Sequence, residues 1–143
     1  IVAMTNTGFA YLEMGDYDKA LNQFRLVLER DPNSAVAHYD LGLAYKQKDD
    51  LDAAKRELAQ AIRLDPNMAE AYYTLGITYW QAGDIEQTAR QMRLAINIRP
   101  EYAAAHYMLG TALKQEGDLD GARSAAAPPT RPTRPAAGRR SRR

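Results

Sequence analysis

Residues 35–68, AVAHYDLGLAYKQKDDLDAAKRELAQAIRLDPNM, contain one complete copy of the pattern that decides the fold. Apolar residues recur at helical spacing in its first half, and they do so again after a short acidic turn at Asp49 and Asp50. Pro66 cannot continue a helix and therefore closes the unit. The stretch predicts a helical hairpin with helices over residues 35–48 and 51–64.

The same pattern recurs every 34 residues in both directions from this stretch, and such a period is the mark of a repeat architecture. The aligned columns are Gly8, Gly42, Gly76 and Gly110; Pro32, Pro66 and Pro100; Leu41, Leu75 and Leu109; Tyr11, Tyr45 and Tyr79, followed by Leu113; and Ala20, Ala54 and Ala122, with Thr88 in the third place. So many columns at one spacing indicate an internal repeat.

The turn between the two helices reads Gly-Asp at residues 15–16, 83–84 and 117–118. Glycine adopts the left-handed conformation that ends a helix, and aspartate caps the next helix by accepting backbone N–H bonds. Asp49 replaces the glycine in the second period, where we predict about 1 kcal/mol of strain.

Each first helix also contains a glycine in its interior, as at Gly42. Glycine costs about 1 kcal/mol relative to alanine in a helix. The position therefore predicts that the second helix crosses too closely for a side chain, with the small residues of the Ala54 column as the other half of the contact.

These columns resemble the tetratricopeptide repeat, which combines Leu-Gly, a tyrosine three residues later, two alanines around a bulky apolar residue, and proline. The first period departs from the pattern at Thr7 and Val27, where leucine and alanine are usual. The resemblance implies an all-α fold, a right-handed superhelical solenoid of antiparallel helical hairpins whose first helices line a concave groove. Each repeat in such a fold is stable only against its neighbours.

The chain is expected to divide into a repeat array over residues 1–122 and an Ala/Pro/Arg-rich tail over 123–143. The array comprises periods 1–34, 35–68 and 69–102 and a partial period 103–122. Seven of the 19 basic residues and none of the 18 acidic residues follow position 122, which leaves 12 basic residues against 18 acidic ones, a net charge of −6, in the array. The tail cannot bury a core, so we predict that it is disordered.

Both ends of the array depart from a complete repeat. The chain begins at the first position of a period, which suggests a fragment of a longer array. In the fourth period we expect a first helix over about 103–116, then only one or two helical turns, from Asp118 to about Ala126, before Pro128 and Pro129. Leu113 and Leu119 would be partly covered, so we expect self-association, or association with a missing segment, through this uncapped repeat.

Three interpretations of the tail compete. Its arginines could bind nucleic acid or an acidic membrane, and residues 129–132 and 132–135 fit P-x-x-P ligands. We favour a solvated tail without specific function, or an out-of-frame extension of the gene. Nucleic-acid binding would instead be strongly salt-dependent and would disappear on deletion of residues 123–143.

No catalytic, cofactor or metal pattern occurs in the sequence. His38 and His106 share one slot of the repeat with Met4 and Tyr72, which indicates a packing position between the two helices. There is no cysteine and no run of about 18 apolar residues that would cross a membrane. We therefore predict no enzyme activity, no cofactor and no small-molecule substrate, with the cytoplasm as the default location.

The resemblance places a partner-binding groove on first-helix positions that face away from the second helix. These are Asn6, Phe9, Tyr39, Asp40, Leu43, Tyr73, Thr74, Ile77, Tyr107, Met108 and Thr111, with Val2, Thr5, Val36, Lys46, Glu70, Gln81, Ala104 and Lys114 beside them and Trp80 near the rim. Tyr39, Tyr73 and Tyr107 form a ladder at 34-residue spacing. Tyrosine suits peptide recognition, but these rings could equally fill the space between first helices.

Family members that grip a C-terminal carboxylate use Lys, Arg and Asn on the groove wall. The matching positions here contain Glu70 and Thr74, or Ala104 and Met108, and Asn6 alone fits. An extended segment or an amphipathic helix suits an aromatic groove better. We predict a non-catalytic scaffold that binds a partner peptide or protein. The alternative is the substrate-binding arm of a larger enzyme, such as a glycosyltransferase, whose catalytic domain is absent.

Overall fold

Seven α-helices and no strand make up residues 1–126, the part of the chain that the computed structural model describes. They are α1 (Val2–Glu13), α2 (Tyr17–Arg30), α3 (Ala35–Gln47), α4 (Leu51–Leu64), α5 (Ala69–Gln81), α6 (Ile85–Ile98) and α7 (Ala103–Ala126). Each helix packs on the helices before and after it in the chain. The predicted all-α solenoid of helical hairpins is therefore confirmed, with closed hairpins at α1/α2, α3/α4 and α5/α6.

The turns of the three closed hairpins follow the sequence prediction. The second residue after each first helix has a left-handed backbone, with φ of 76° at Gly15, 66° at Asp49 and 81° at Gly83. The next residue caps the second helix through its carboxylate, which accepts backbone N–H bonds of 3.4, 3.3 and 3.1 Å at Asp16, Asp50 and Asp84. Asp49 is thus held in the conformation that glycine occupies in the other two turns.

The core of each closed hairpin forms where the second helix crosses the glycine of the first. An added Cβ would lie 2.5 Å from the nearest side-chain atom for Gly8 and Phe24, 2.6 Å for Gly42 and Leu58, and 2.7 Å for Gly76 and Met92. The close crossing is confirmed. However, the side chain that faces each glycine is the large, fully buried Phe24, Leu58 or Met92, and not the small residue of the Ala54 column. That column is buried beside it, and its one hydroxyl, Thr88 Oγ1, donates to the Gly76 carbonyl at 3.1 Å.

The fourth period does not form the predicted hairpin. Gly117 and Asp118 lie inside α7, so the turn expected there is wrong. Apart from the backbone of its own helix, no atom of the described residues lies within 4 Å of a Cβ added to Gly110. The sequence has Ala126 at the position that large side chains take in the closed hairpins. A hairpin here would bury little apolar surface, whereas an unbroken helix gains a backbone hydrogen bond with each added residue.

α7 also extends past the position where the array was expected to end. Residues 123–126 are helical, which agrees with helical turns that reach Ala126 but not with a disordered tail that begins at 123. The rest of that predicted tail lies outside the described residues. Leu113 and Leu119 are each 40% exposed, which confirms their partial covering. Self-association through this end remains a prediction. None of the seven helices is both long enough and apolar enough to cross a membrane.

Candidate functional site

The first helices α1, α3 and α5 together border a cavity of about 280 Å³. Its lining residues are Thr5, Phe9, Val36, Tyr39, Asp40, Met68 and Glu70. All of these except Met68 are groove positions predicted from the sequence. Met68 was missed because it precedes α5 as its N-cap residue, and its only signal is its place one residue before the helix. The cavity has aromatic and aliphatic walls with two carboxyl groups.

Asp40 is the unusual residue of this cavity. It is only 3% exposed, and burial raises the pKa of its carboxyl group to about 7. The same slot of the other periods contains the uncharged residues Asn6, Thr74 and Met108. A buried carboxylate without a cation lowers the stability of a fold. Strongly shifted acids of this kind cluster at functional sites.

Glu70 lies on the opposite wall and has a partner of its own. The Arg99 guanidinium, at the C-terminal end of α6, donates a hydrogen bond to the Glu70 carboxylate and lowers its pKa. Arg99 also lies over the ring of Tyr102, 4.8 Å from its centroid. Glu70 is therefore already paired within the protein, whereas burial alone sets the shift of Asp40.

The tyrosine ladder joins neighbouring repeats. The Tyr39 hydroxyl lies 3.3 Å from the Thr74 hydroxyl, and the Tyr73 ring meets Tyr102 edge-on at 5.2 Å between centroids. Both rings are half-buried, whereas Tyr107 is 76% exposed. Tyr39 thus packs against the next repeat, and Tyr73 contacts the last residue of its own period and packs against a core that includes Ala105 of the next one, as the packing interpretation predicted. Tyr39 also lines the cavity.

The other predicted groove residues are distributed along the first helices. Phe9 is 36% exposed and stacks edge-on against Phe24 at 5.4 Å. It also borders a second cavity of about 250 Å³ together with Leu43. Asn6 is exposed, Thr74 is buried, and Ile77, Met108 and Thr111 are half-buried on α5 and α7. The structure therefore brings Phe9, Tyr39 and Asp40 together and leaves Asn6 and the α7 residues outside the cavity.

The histidine slot is a packing position in the second period. His38 Nδ1 lies 2.7 Å from Glu57 Oε2, which links α3 to α4. His106 Nε2 contacts the Pro100 carbonyl oxygen at 2.6 Å and is exposed, because α7 has no second helix of its own period against it. Within residues 1–126, no group of three or more His, Asp or Glu side chains has the arrangement of a metal site.

Larger clefts lie beside α7, but they correspond to the missing half of the fourth hairpin. One of about 530 Å³ separates the α5/α6 turn from Glu116, Leu119 and Asp120, and one of about 400 Å³ separates α6 from Glu116. A second helix of the fourth period would pack in this region. We therefore assign the candidate site to the first-helix cavity, in spite of its smaller volume.

Known proteins were compared with the chain by sequence and by structure. Two family models, both described as tetratricopeptide repeat, match residues 11–76 and 47–92, and residues 73–128. The fold is similar to that of MamA, with a TM-score of 0.74, 30% identity, and coverage of 85% of this chain and 71% of that one. No curated protein sequence matches.

Two further solved structures have a similar fold. The first tetratricopeptide domain of Spaghetti (RPAP3), bound to the HSP90 peptide SRMEEVD, has a TM-score of 0.76 and 18% identity, covering 81% of this chain and 92% of that one. A mutant O-GlcNAc transferase of Thermobaculum terrenum has a TM-score of 0.71 and 28% identity, covering 78% of this chain but 21% of the transferase.

Proposed function

The chain belongs to the tetratricopeptide repeat family, and on that premise we propose that it is a non-catalytic scaffold that binds a partner peptide or protein segment in the groove of its first helices. The observation that carries the proposal is the cavity between α1, α3 and α5. It is formed by three successive repeats, and concave sites with apolar walls and a few polar groups are where ligands bind.

The exposure of the groove supports an external ligand. Val36 is 57% exposed at the cavity, and Phe9 leaves 36% of its surface uncovered. Apolar side chains of this kind gain free energy when a partner covers them, at roughly 25 cal/mol per Å². The RPAP3 domain with its HSP90 peptide supports peptide binding as a role for this fold.

The ligand class is expected to differ from that acidic peptide. The cavity presents Asp40 and Glu70, which would repel a peptide rich in carboxylates. Of the positions that would grip a C-terminal carboxylate, only Asn6 has a suitable side chain, and it lies outside the cavity. An extended segment or a helix with apolar and uncharged or basic side chains fits the groove better.

The test uses the full chain and a displayed library of random peptides. Peptides selected on the wild type are measured against two charged substitutions at exposed apolar residues, Val36→Lys in the groove and Leu26→Lys on α2. Both residues are exposed, so both variants are expected to fold, and circular dichroism checks this. We expect binding to fall at least tenfold with Val36→Lys and to be unchanged with Leu26→Lys. Equal effects, or no selected peptide, would refute groove binding.

The transferase similarity supports a second candidate function. Because the chain matches about a fifth of that enzyme, 21%, an array of this kind can be one part of a catalytic protein. On this alternative the groove would position a protein substrate for a catalytic domain in the same polypeptide. The flanking gene sequence tests it, since a glycosyltransferase domain in the same reading frame would favour the arm and any other neighbour would count against it.

A further inference from the structure

We propose, as a refinement that rests on the proposed function, that the cavity between α1, α3 and α5 receives one arginine or lysine side chain of the partner peptide and that the Asp40 carboxylate pairs with its cation. The cavity is lined by apolar side chains and by carboxyl groups, and an arginine or lysine side chain needs both. Its aliphatic stem packs on apolar walls while its charged end reaches a carboxylate.

The walls match the stem and the cation separately. Val36 and Met68 supply aliphatic surface, and the rings of Phe9 and Tyr39 attract a cation that passes over them. Asp40 is on the same helix as Val36 and Tyr39, so α3 carries three of the contacts. A charge-assisted hydrogen bond to an ionised carboxylate is about twice as strong as a neutral one.

The state of Asp40 in the free protein argues against an apolar occupant. It is 3% exposed, and no cation or hydrogen-bond donor of residues 1–126 offsets the rise in its pKa that burial causes. An apolar side chain in the cavity would remove the remaining water and increase the cost of the charge. An arginine or lysine would supply the missing counter-ion. The neighbouring Glu70 does not need one, because it is paired with Arg99.

The proposal predicts a pH dependence of binding. The carboxyl group titrates at about pH 7 in the free protein, and a bound cation favours its charged form. Below pH 7 binding must therefore release a proton, and the affinity falls by up to about tenfold per pH unit, whereas above pH 7 it is constant.

The predicted pH dependence of binding is assigned to Asp40 because of the groups that surround it. α1 contributes only uncharged side chains to the cavity, and on α3 the neighbouring His38 contacts Glu57 of α4. The charged and titratable groups that remain nearby are Tyr39 on α3, Glu70 on α5, its partner Arg99 at the end of α6, and Tyr102, which lies beneath Arg99 and whose pKa is raised by burial. Arg99 lowers the pKa of Glu70, so Glu70 stays ionised over the tested range.

The experiment repeats the peptide selection with the full chain as wild type, Asp40→Asn and Glu70→Gln. We expect the wild type to enrich arginine or lysine at one fixed position of the selected peptides, and the Glu70→Gln variant to do the same. Asp40→Asn should lose this enrichment, bind the wild-type peptide at least tenfold more weakly at pH 8, and show no pH dependence between pH 5.5 and 8.

The outcomes separate the refinement from the proposed function. Peptides that bind the groove without an enriched basic residue, or that bind Asp40→Asn equally well at pH 8, would overturn the refinement alone. If no peptide is selected, the groove proposal fails and the refinement with it. Replacing the six arginines between positions 131 and 143 with glutamine should change nothing. If arginine or lysine is enriched only in peptides selected on that variant, the chain's own arginines occupy the cavity. That result would contradict the proposal that a separate partner fills it.

Discussion

Gly42 and Gly110 occupy the same slot of the repeat, yet their surroundings are opposite. A Cβ at Gly42 would lie 2.6 Å from Leu58, whereas a Cβ at Gly110 would meet no described side chain within 4 Å. The first belongs to a hairpin that closes, and the second to a helix that continues through its expected turn. The two regions share their first-helix pattern and their Gly-Asp or Asp-Asp turn.

This difference indicates that the Gly-Asp or Asp-Asp turn sequence alone does not close a hairpin. Asp16, Asp50 and Asp84 cap second helices that also carry a large buried residue eight positions further on, whereas the residue eight positions after Asp118 is Ala126. The large residue covers the glycine and contributes roughly 1.5–3 kcal/mol through its burial. Without it, the glycine and aspartate of the fourth period are accommodated in a helix.

Substituting the two glycines should produce the largest contrast. Gly42→Ala places a methyl group against Leu58 and its backbone, with an expected loss of about 1–3 kcal/mol. Gly110→Ala adds a methyl group in open space and should gain up to about 1 kcal/mol from helix propensity. Urea unfolding measures both. A loss of the same size at Gly110 would show that a second helix does cross it.

Within the closed hairpins, the buried carboxyl group of Asp40 predicts that stability depends on pH. Its folded pKa, about 7, lies above the ordinary aspartate value of 3.8, so the folded state binds the proton more tightly. Stability should therefore fall as pH rises from about 4 to 7 and stay constant above that. At pH 8 Asp40→Asn should be more stable by roughly 2 kcal/mol, because the amide avoids the buried charge but still loses hydration. At pH 4 the two proteins should be equal, and a variant less stable at pH 8 would contradict the burial effect.

The turn glycines give the next contrast. Gly83 has a φ of 81°, so Gly83→Ala should cost about 1–2 kcal/mol. Gly117 lies in a helix, so Gly117→Ala should raise the helical content and stabilise α7 by up to about 1 kcal/mol. Thermal unfolding followed by circular dichroism compares them. Destabilisation by both substitutions would mean that the fourth period turns at Gly117 after all.

The capping aspartates give the smallest effect. Asp50→Ala removes an acceptor for the Ala53 N–H and should cost about 1 kcal/mol. Asp118→Ala replaces a residue inside α7 with a better helix former and should cost nothing. Unfolding midpoints in urea are sufficient to separate the two, and a comparable loss at position 118 would indicate a helix start there.

Much of the fold could be predicted from the sequence because the determinants are local and repeated. The period of 34 residues, the left-handed turn positions and the capping aspartates each act over a few residues. The contact with Gly42 was predicted for the Ala54 column, but Leu58 makes it. Spacing alone does not say which of two neighbouring columns approaches the glycine most closely. The column of Phe24, Leu58, Met92 and Ala126 was visible in the sequence and would have indicated the missing hairpin.

The candidate site was less predictable because it depends on contacts between repeats. The face that contains Asp40 could be predicted from helix geometry, but its burial results from the packing of α1 and α5 around α3. The same holds for Met68, which precedes its helix, and for Tyr39, whose hydroxyl meets Thr74 of the next repeat. None of these contacts is encoded within one period.

The most direct test maps a bound peptide onto the full chain by amide chemical shifts in NMR. A peptide selected on the wild type is titrated into labelled protein at pH 8. We predict that the shifts change around Phe9 on α1, Asp40 on α3 and Glu70 on α5. They should remain constant around Gly110 and Gly117 on α7. Changes confined to α7, or to the second helices α2, α4 and α6, would contradict the claim that the three closed hairpins build the binding site.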